Sequence, residues 1–144
     1  KKLLLNQKTV FYSISAIIVT NILVWLVNNL VSRPRPFIGN SDEIQLMFYA
    51  PTDPSFPANP VAIGFTVAAS IFPANKYLGY ILLVASLIFS FSRIYVGVFY
   101  FIDVFSAAIL GFIVALLVRK IMRIKIINLI LMKQIKILSL LALS

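Results

Sequence analysis

The chain has 144 residues, of which 61% are hydrophobic, and its mean hydropathy is +1.01. Soluble domains carry about 45–50% apolar residues, so this composition indicates a membrane protein. The sequence has no cysteine, no histidine and a formal net charge of +9. The missing residues exclude disulfides and thiolate metal sites, and remove the usual general base and the commonest metal ligand.

Four apolar runs predict an all-α integral membrane bundle with about four transmembrane helices. The first run, 10–31, would measure about 33 Å as a helix, which is enough to cross a bilayer. Three shorter runs follow: one from after Pro60 to Phe72, one at 77–91 and one at 104–118, the last extendable back to Tyr100. These runs leave almost no polar face, which disfavours core helices of a soluble protein.

Two segments lie outside the predicted spans. The stretch 33–59 holds five of the seven prolines, so it is not one long helix, and we expect it to fold over one end of the bundle as a cap. The tail alternates basic residues with Ile and Leu, which favours an amphipathic helix on an anionic membrane surface over a disordered tail. We therefore predict a transmembrane domain at 1–118 and a basic amphipathic cytoplasmic tail at 119–144.

The basic residues are distributed unequally between the two ends of the predicted bundle. One end and its flanking segments carry ten of the thirteen, namely Lys1, Lys2, Lys8, Lys76, Arg119, Lys120, Arg123, Lys125, Lys133 and Lys136. The other end carries Arg33, Arg35 and Arg93 together with all four acidic residues, Asp42, Glu43, Asp53 and Asp103. The positive-inside rule places the first group in the cytoplasm and the second on the extracytoplasmic side.

Three short motifs lie in order on the predicted extracytoplasmic side. They read S-R-P-R-P-F from Ser32, S-F-P-A-N-P from Ser55, and S-R-I-Y-V-G-V-F-Y-F-I-D from Ser92 to Asp103. Together they resemble the motifs of the type 2 phosphatidic acid phosphatase superfamily, which is related to the vanadium haloperoxidases. The resemblance covers about residues 10–118 and is strongest to the bacterial undecaprenyl pyrophosphate phosphatase branch.

The resemblance implies which residues bind phosphate. In the family motif K-x6-R-P, Arg35 is retained and Asn28 occupies the lysine position. In the family motif S-R-x5-H-x3-D, Ser92, Arg93 and the carboxylate Asp103 are retained. Planar arginine forks suit phosphate oxygens, and helix N-termini supply backbone donors. The implied phosphate-binding set is Arg35, Arg93, Ser92, Asn59, Ala58 and Asn28.

The same resemblance implies that the catalytic groups are missing. In the family, the histidine of the third motif attacks phosphorus and the histidine of the second motif protonates the leaving group. Phe99 and Pro60 occupy these two positions. Asp103, which would orient the nucleophile, keeps that role or forms a salt bridge with Arg93. We expect Phe99 to fill the space of the histidine, and we expect Arg33 to be a surface or head-group contact.

These considerations predict a membrane lipid phosphatase-family protein that binds a lipid phosphate or prenyl pyrophosphate and has little or no phosphatase activity. The alternatives are a non-catalytic lipid-phosphate binder or partner subunit, and a degenerate structural fragment. No cofactor and no metal is implied, and nucleic acid is disfavoured because the positive charge divides by membrane side. The family usually has two further helices before the first motif, so we expect a partial chain from a bacterial or archaeal plasma membrane protein.

Overall fold

The computed structural model describes residues 7–39 and 51–141, the side chains of 125–141 excepted. Every regular element in these two ranges is a helix, which confirms the all-α prediction. The five helices are α1 Gln7–Val31, α2 Pro36–Gly39, α3 Asn59–Ile71, α4 Lys76–Tyr95 and α5 Phe101–Leu141. The predicted cap over 33–59 falls partly outside the described residues, since 40–50 are not described.

Local chemistry explains where the helices begin and end. Ser32 has a left-handed backbone (φ 45°) and its N–H bonds the carbonyl of Asn28 at 2.9 Å, which ends α1. Pro60 lies in the first turn of α3, where a missing N–H costs nothing. The side chain of Asn75 accepts a hydrogen bond from the N–H of Leu78 at 3.1 Å and caps the start of α4.

Helix length differs sharply between the elements. Three segments are long and apolar enough to cross a membrane, namely Gln7–Ile38, Lys76–Tyr95 and Phe101–Ile124. The 13 residues of α3 span only about 20 Å, which is less than the ~30 Å hydrocarbon core of a bilayer. The bundle therefore combines three long helices with one short one.

The short helix α3 is central to the packing. It packs against α1, α4 and α5, and α1 also packs on α5, whereas α4 barely meets α5. The residues that α4 buries are Gly79, Ser86 and Ser90. Small residues let helix backbones approach closely, as is typical of helix packing in membranes.

A hydrogen-bonded cluster joins α1, α3 and α5 in the core. The hydroxyls of Thr20 and Thr66, both fully buried, lie 2.9 Å apart. The Thr66 hydroxyl also lies 2.7 Å from the carbonyl of Ala62 and 3.2 Å from the carbonyl of Gly111. The close packing requires glycine at position 111, because a Cβ on Gly111 would clash with the Ala62 carbonyl. These contacts fix the three helices relative to one another.

The outer faces of the bundle are apolar. Exposed side chains include Phe11, Ile18, Leu87, Ile88 and Phe112. A soluble protein seldom exposes apolar surface on this scale, so these faces are suited to contact lipid chains. The helix α5 continues without a break through residue 118 to Leu141. Residues 119–141 of the tail are thus helical, and the placement of the tail on an inner membrane surface stays a prediction.

Candidate functional site

The three sequence motifs meet at one end of the bundle. They lie after α1, before α3 and across the α4–α5 turn. The backbone N–H of Ser55 donates to the carbonyl of Arg33 at 2.9 Å, which joins the first motif to the second. The backbone N–H of Ala58 donates to the carbonyl of Asp103 at 3.2 Å, which joins the second to the third. Segments far apart in the chain therefore form one polar surface.

Asp103 is the most tightly held acidic group of this surface. Its side chain is fully buried, and one carboxylate oxygen accepts a hydrogen bond from Arg33 Nη1 at 2.8 Å. The other oxygen accepts the backbone N–H of Tyr100 at 3.2 Å. This second contact is one half of a capping box, in which an acidic residue in the first turn satisfies the N-cap donor. Asp103 thus anchors the start of α5.

The ion pair corrects one sequence expectation. The predicted salt bridge joined Asp103 to Arg93, whereas the observed partner is Arg33, which we had expected to be only a surface or head-group contact. Arg93 lies in the last turn of α4, and α4 barely touches α5. The left-handed turn at Ser32 and the backbone bond to Ser55 instead hold Arg33 beside the start of α5. Its guanidinium also lies 4.2 Å from the ring centroid of Tyr100.

Arg35 is buried, with only 3% of its surface exposed. Its Nε donates to the carbonyl of Asp53 and its Nη2 to the Asp53 carboxylate, both at 2.9 Å. Nη1 lies 3.4 Å from the carbonyl of Val98. The Asp53 side chain is 61% exposed, so the carboxylate lies on the open side of the guanidinium. A carboxylate in this position occupies the place that an anionic ligand of Arg35 would take.

Phe99 packs directly against this arginine. Its ring centroid lies 4.4 Å from Arg35 Cζ, and the residue is 5% exposed. The predicted nucleophile position is therefore filled by a buried aromatic ring in contact with the guanidinium. The predicted acid position, Pro60, lies in the first turn of α3 and is exposed. Neither side chain carries a lone pair or a proton for transfer.

Arg93 differs from the other two arginines. Its guanidinium lies 4.5 Å from the ring centroid of Phe89, and its buried Nε has no hydrogen-bond partner among the described residues. Within residues 7–39 and 51–124 it forms no ion pair, whereas Arg33 and Arg35 each do. Its backbone carbonyl accepts the N–H of Val98 at 3.2 Å. Val98 thus connects the backbone of Arg93 to the guanidinium of Arg35.

The remaining predicted phosphate-binding residues lie in different surroundings. Asn59 Nδ2 donates to Asn21 Oδ1 at 3.2 Å, which links α3 to α1. Asn59 Oδ1 and Asn28 Oδ1 are buried and have no hydrogen-bond partner in the part of the chain that the structure describes. Ala58 is fully buried and its N–H is already bonded, while Ser92 is exposed. Of the backbone donors expected at the start of α3, the Ala58 N–H is therefore already occupied.

Two participants were not identified from the sequence. Arg33 and Asp53 each pair with a residue of the predicted site, and the first pair joins positions 70 residues apart. A usable signal was present in S-R-P-R-P-F, since a carboxylate buried near lipid requires a cation and two arginines stand close together there. Among the described residues, no three potential His, Cys, Asp or Glu ligands cluster for a metal ion.

The chain is similar in sequence to known proteins over most of its length. A family model described as "PAP2 superfamily" matches residues 9–127. The "Bacitracin transport permease protein BcrC" of Bacillus licheniformis is 32% identical over 113 residues, which cover 78% of this chain and 55% of that protein. The "Undecaprenyl-diphosphatase BcrC" of Bacillus subtilis (strain 168) is 25% identical over 112 residues, which cover 78% and 57%. The chain thus spans a little over half the length of these relatives. No solved structure matches it.

Proposed function

Since the chain belongs to the PAP2 superfamily, we propose that it binds the phosphate or diphosphate head group of a membrane lipid and hydrolyses it very slowly or not at all. The head group would lie at the end of the bundle where the three motifs meet, with Arg35 and Arg93 as its principal cationic contacts. One relative is named as an undecaprenyl-diphosphatase. We therefore propose a prenyl diphosphate as the first substrate class to test, and phosphatidic acid as the second.

The contact between Arg35 and Phe99 carries the proposal. The buried guanidinium keeps the planar donors that a phosphoryl group requires. The ring at 4.4 Å belongs to Phe99, the residue that the motif resemblance assigns to the position of the family's nucleophile. An arginine that can bind phosphate, next to a phenylalanine that cannot react with it, favours binding without turnover.

The rate losses expected for the missing catalytic groups support little or no hydrolysis. Loss of the nucleophile of a catalytic unit lowers kcat on the order of 10⁶-fold, as in a serine protease. Loss of a general acid lowers the rate by about 10²–10⁴-fold. The sequence contains no histidine that could take over either role. Charge stabilisation by the arginines alone would leave only slow residual release of phosphate.

One observation favours a second candidate, a structural role without a ligand. Arg33 and Arg35 both have carboxylate partners within the chain, Asp103 and Asp53. A site that is neutralised internally needs no external anion. The two candidates differ at Arg93, which has no acidic partner among the described residues, and at Asp53, whose exposed carboxylate an incoming phosphate could displace.

The deciding experiment combines turnover with binding. The detergent-purified chain is assayed for phosphate release from undecaprenyl pyrophosphate and phosphatidic acid, beside an active superfamily member. Binding of inorganic phosphate and of vanadate, a phosphate mimic, is measured by calorimetry for the natural chain, for Arg35→Ala and for Arg93→Ala. We expect background release, and binding that each substitution weakens. Release near the control rate would contradict inactivity, and absence of binding would favour the structural role.

A further inference from the structure

We propose that the groove between α3 and α4 holds the hydrocarbon chain of a phosphorylated lipid whose phosphate contacts Arg93. This inference rests on the proposed function, because it adds the position of the lipid's hydrocarbon chain to the position of its head group. It also commits to one occupant, a membrane lipid with an anionic phosphate and a long apolar chain.

The groove is an apolar channel on the side of the bundle. Its volume is about 370 Å³, within the range of ligand sites in proteins, about 300–1,000 Å³. Its walls include Pro60, Ile63 and Val67 of α3 and Leu82, Ala85 and Phe89 of α4. Gly64 and Ser86 also line the groove and face each other across the two helices, since a Cβ on Gly64 would lie 3.0 Å from the Ser86 hydroxyl oxygen.

One end of the groove reaches the candidate site. Pro60 stands in the first turn of α3, beside the second motif. Phe89 lines the groove, and its ring lies under the guanidinium of Arg93, 4.5 Å from Cζ. A molecule that lies in the groove therefore has the end nearest the candidate site next to the guanidinium of Arg93.

Among the described residues, Arg93 lacks the partner that such a molecule would supply. Its buried Nε has no hydrogen-bond acceptor there, and burying a charged donor without an acceptor is unfavourable. The described residues provide it with no carboxylate, in contrast to Arg33 and Arg35. A phosphate ester would supply both the negative charge and the acceptor oxygens.

Charge complementarity favours a lipid over a helix as the occupant. The groove is apolar along its length and has a cation only at its end, which matches an amphiphile with one anionic head and one apolar chain. An apolar transmembrane helix would cover the walls of the groove but would leave the Arg93 donor without a hydrogen-bond acceptor. In a bilayer no water reaches such a groove to fill it.

The test uses a phosphatidic acid that carries a photoreactive diazirine in an acyl chain, with the matching diacylglycerol probe as the control without phosphate. Both are irradiated with the full chain in bicelles, and the labelled residues are mapped by mass spectrometry. We expect the phosphatidic acid probe to label groove residues such as Val67, Leu82 and Ala85. We expect the diacylglycerol probe to label them much less, and Arg93→Ala to abolish the difference.

A matched pair of variants tests the groove itself. Ala85 lines the groove, whereas its neighbour Val84 is exposed and is not part of the lining. Because a tryptophan side chain would occupy much of the groove, we expect Ala85→Trp to lower groove labelling about tenfold. We expect Val84→Trp to leave labelling unchanged. Binding of inorganic phosphate should be equal in both variants, since neither change touches the arginines.

The outcomes separate this inference from the proposed function. Labelling spread evenly over the exposed faces of α1, α4 and α5 would overturn the groove as the chain site, and so would equal labelling by the two probes. If inorganic phosphate binds in an Arg93-dependent way while groove labelling is absent, the inference fails and the proposed function stands. If inorganic phosphate does not bind to the natural chain, both fail.

Discussion

The guanidinium of Arg35 lies against the ring of Phe99, with Cζ 4.4 Å from the ring centroid. Both residues are buried, so the contact is part of the core at this end of the bundle. A cation over an aromatic face contributes about 2 kcal/mol or more when desolvated. The residue at the predicted nucleophile position therefore also stabilises the arginine of the proposed phosphate site.

The first prediction concerns recovery of catalysis. Because loss of the nucleophile costs more than loss of the acid, Pro60→His alone should release no phosphate above background. Phe99→His should give a trace, and the double variant should give more, with undecaprenyl pyrophosphate as substrate. The measurements are the release of inorganic phosphate and the transfer of phosphate from the substrate to the protein. The transferred phosphate should be labile in acid and stable in alkali. A natural chain as active as the double variant would contradict the role assigned to the missing histidines.

A second prediction concerns Asp53, which we expect to compete with phosphate for Arg35. Asp53→Asn removes the competing charge, and since the Asp53 carboxylate is 61% exposed we assign the pair the range of solvent-screened pairs, about 0.2–1 kcal/mol. The affinity for inorganic phosphate should therefore rise roughly 1.5- to 5-fold, as measured by calorimetry. In an Arg35→Ala background the same substitution should have no effect. A loss of affinity in Asp53→Asn would show that the carboxylate does not oppose binding.

A third prediction tests the anchoring role of Asp103. Asp103→Ala removes the Arg33 pair and the cap of α5, and should lower the free energy of unfolding by about 2 kcal/mol. This value lies below the cost of breaking a fully buried pair, because 36% of the Arg33 side chain is exposed. Asp103→Asn can keep the cap and should lose about half as much. Denaturant titration followed by circular dichroism gives both values, with Ser106→Ala as a control expected to change little.

A fourth prediction concerns the close approach of α3 and α5. Gly111→Ala places a Cβ against the Ala62 carbonyl, which is backbone and is held in the core, so we expect a clear loss of thermal stability in detergent. The matched control is Gly64→Ala, whose Cβ meets only the hydroxyl of Ser86 at 3.0 Å. A serine side chain can move, and alanine favours helix by about 1 kcal/mol over glycine. Equal destabilisation by the two changes would argue against tight α3–α5 packing.

A fifth prediction concerns sidedness. The chain has no cysteine, so single cysteines can be introduced without background. Thr52 lies on the end with the three motifs and Ala74 in the α3–α4 turn, and both are exposed. A membrane-impermeant maleimide applied to intact cells should label Thr52→Cys and spare Ala74→Cys, which should react only after lysis. The reverse pattern would place the arginine cluster in the cytoplasm.

Local sequence signals were sufficient for the helices. Hydropathy, together with Pro60 as a boundary, predicted runs that agree with α1, α3, α4 and the first part of α5 to within a few residues. Such signals work because a helix in lipid must satisfy its own backbone and present apolar side chains throughout. The order of the three motifs also indicated the family that the comparisons then showed.

The pairing of charges was decided by tertiary structure. In the sequence, the potential ion-pair partners of Asp103 are Arg93 and the two arginines of the S-R-P-R-P-F segment. The prediction named only Arg93. The choice of Arg33 depends on the left-handed turn at Ser32 and on the near absence of contact between α4 and α5. Asp53 reaches Arg35 because the second motif is hydrogen-bonded along the first. Helix formation is a property of neighbouring residues, whereas an ion pair between positions 70 apart depends on how the helices are rotated and stacked.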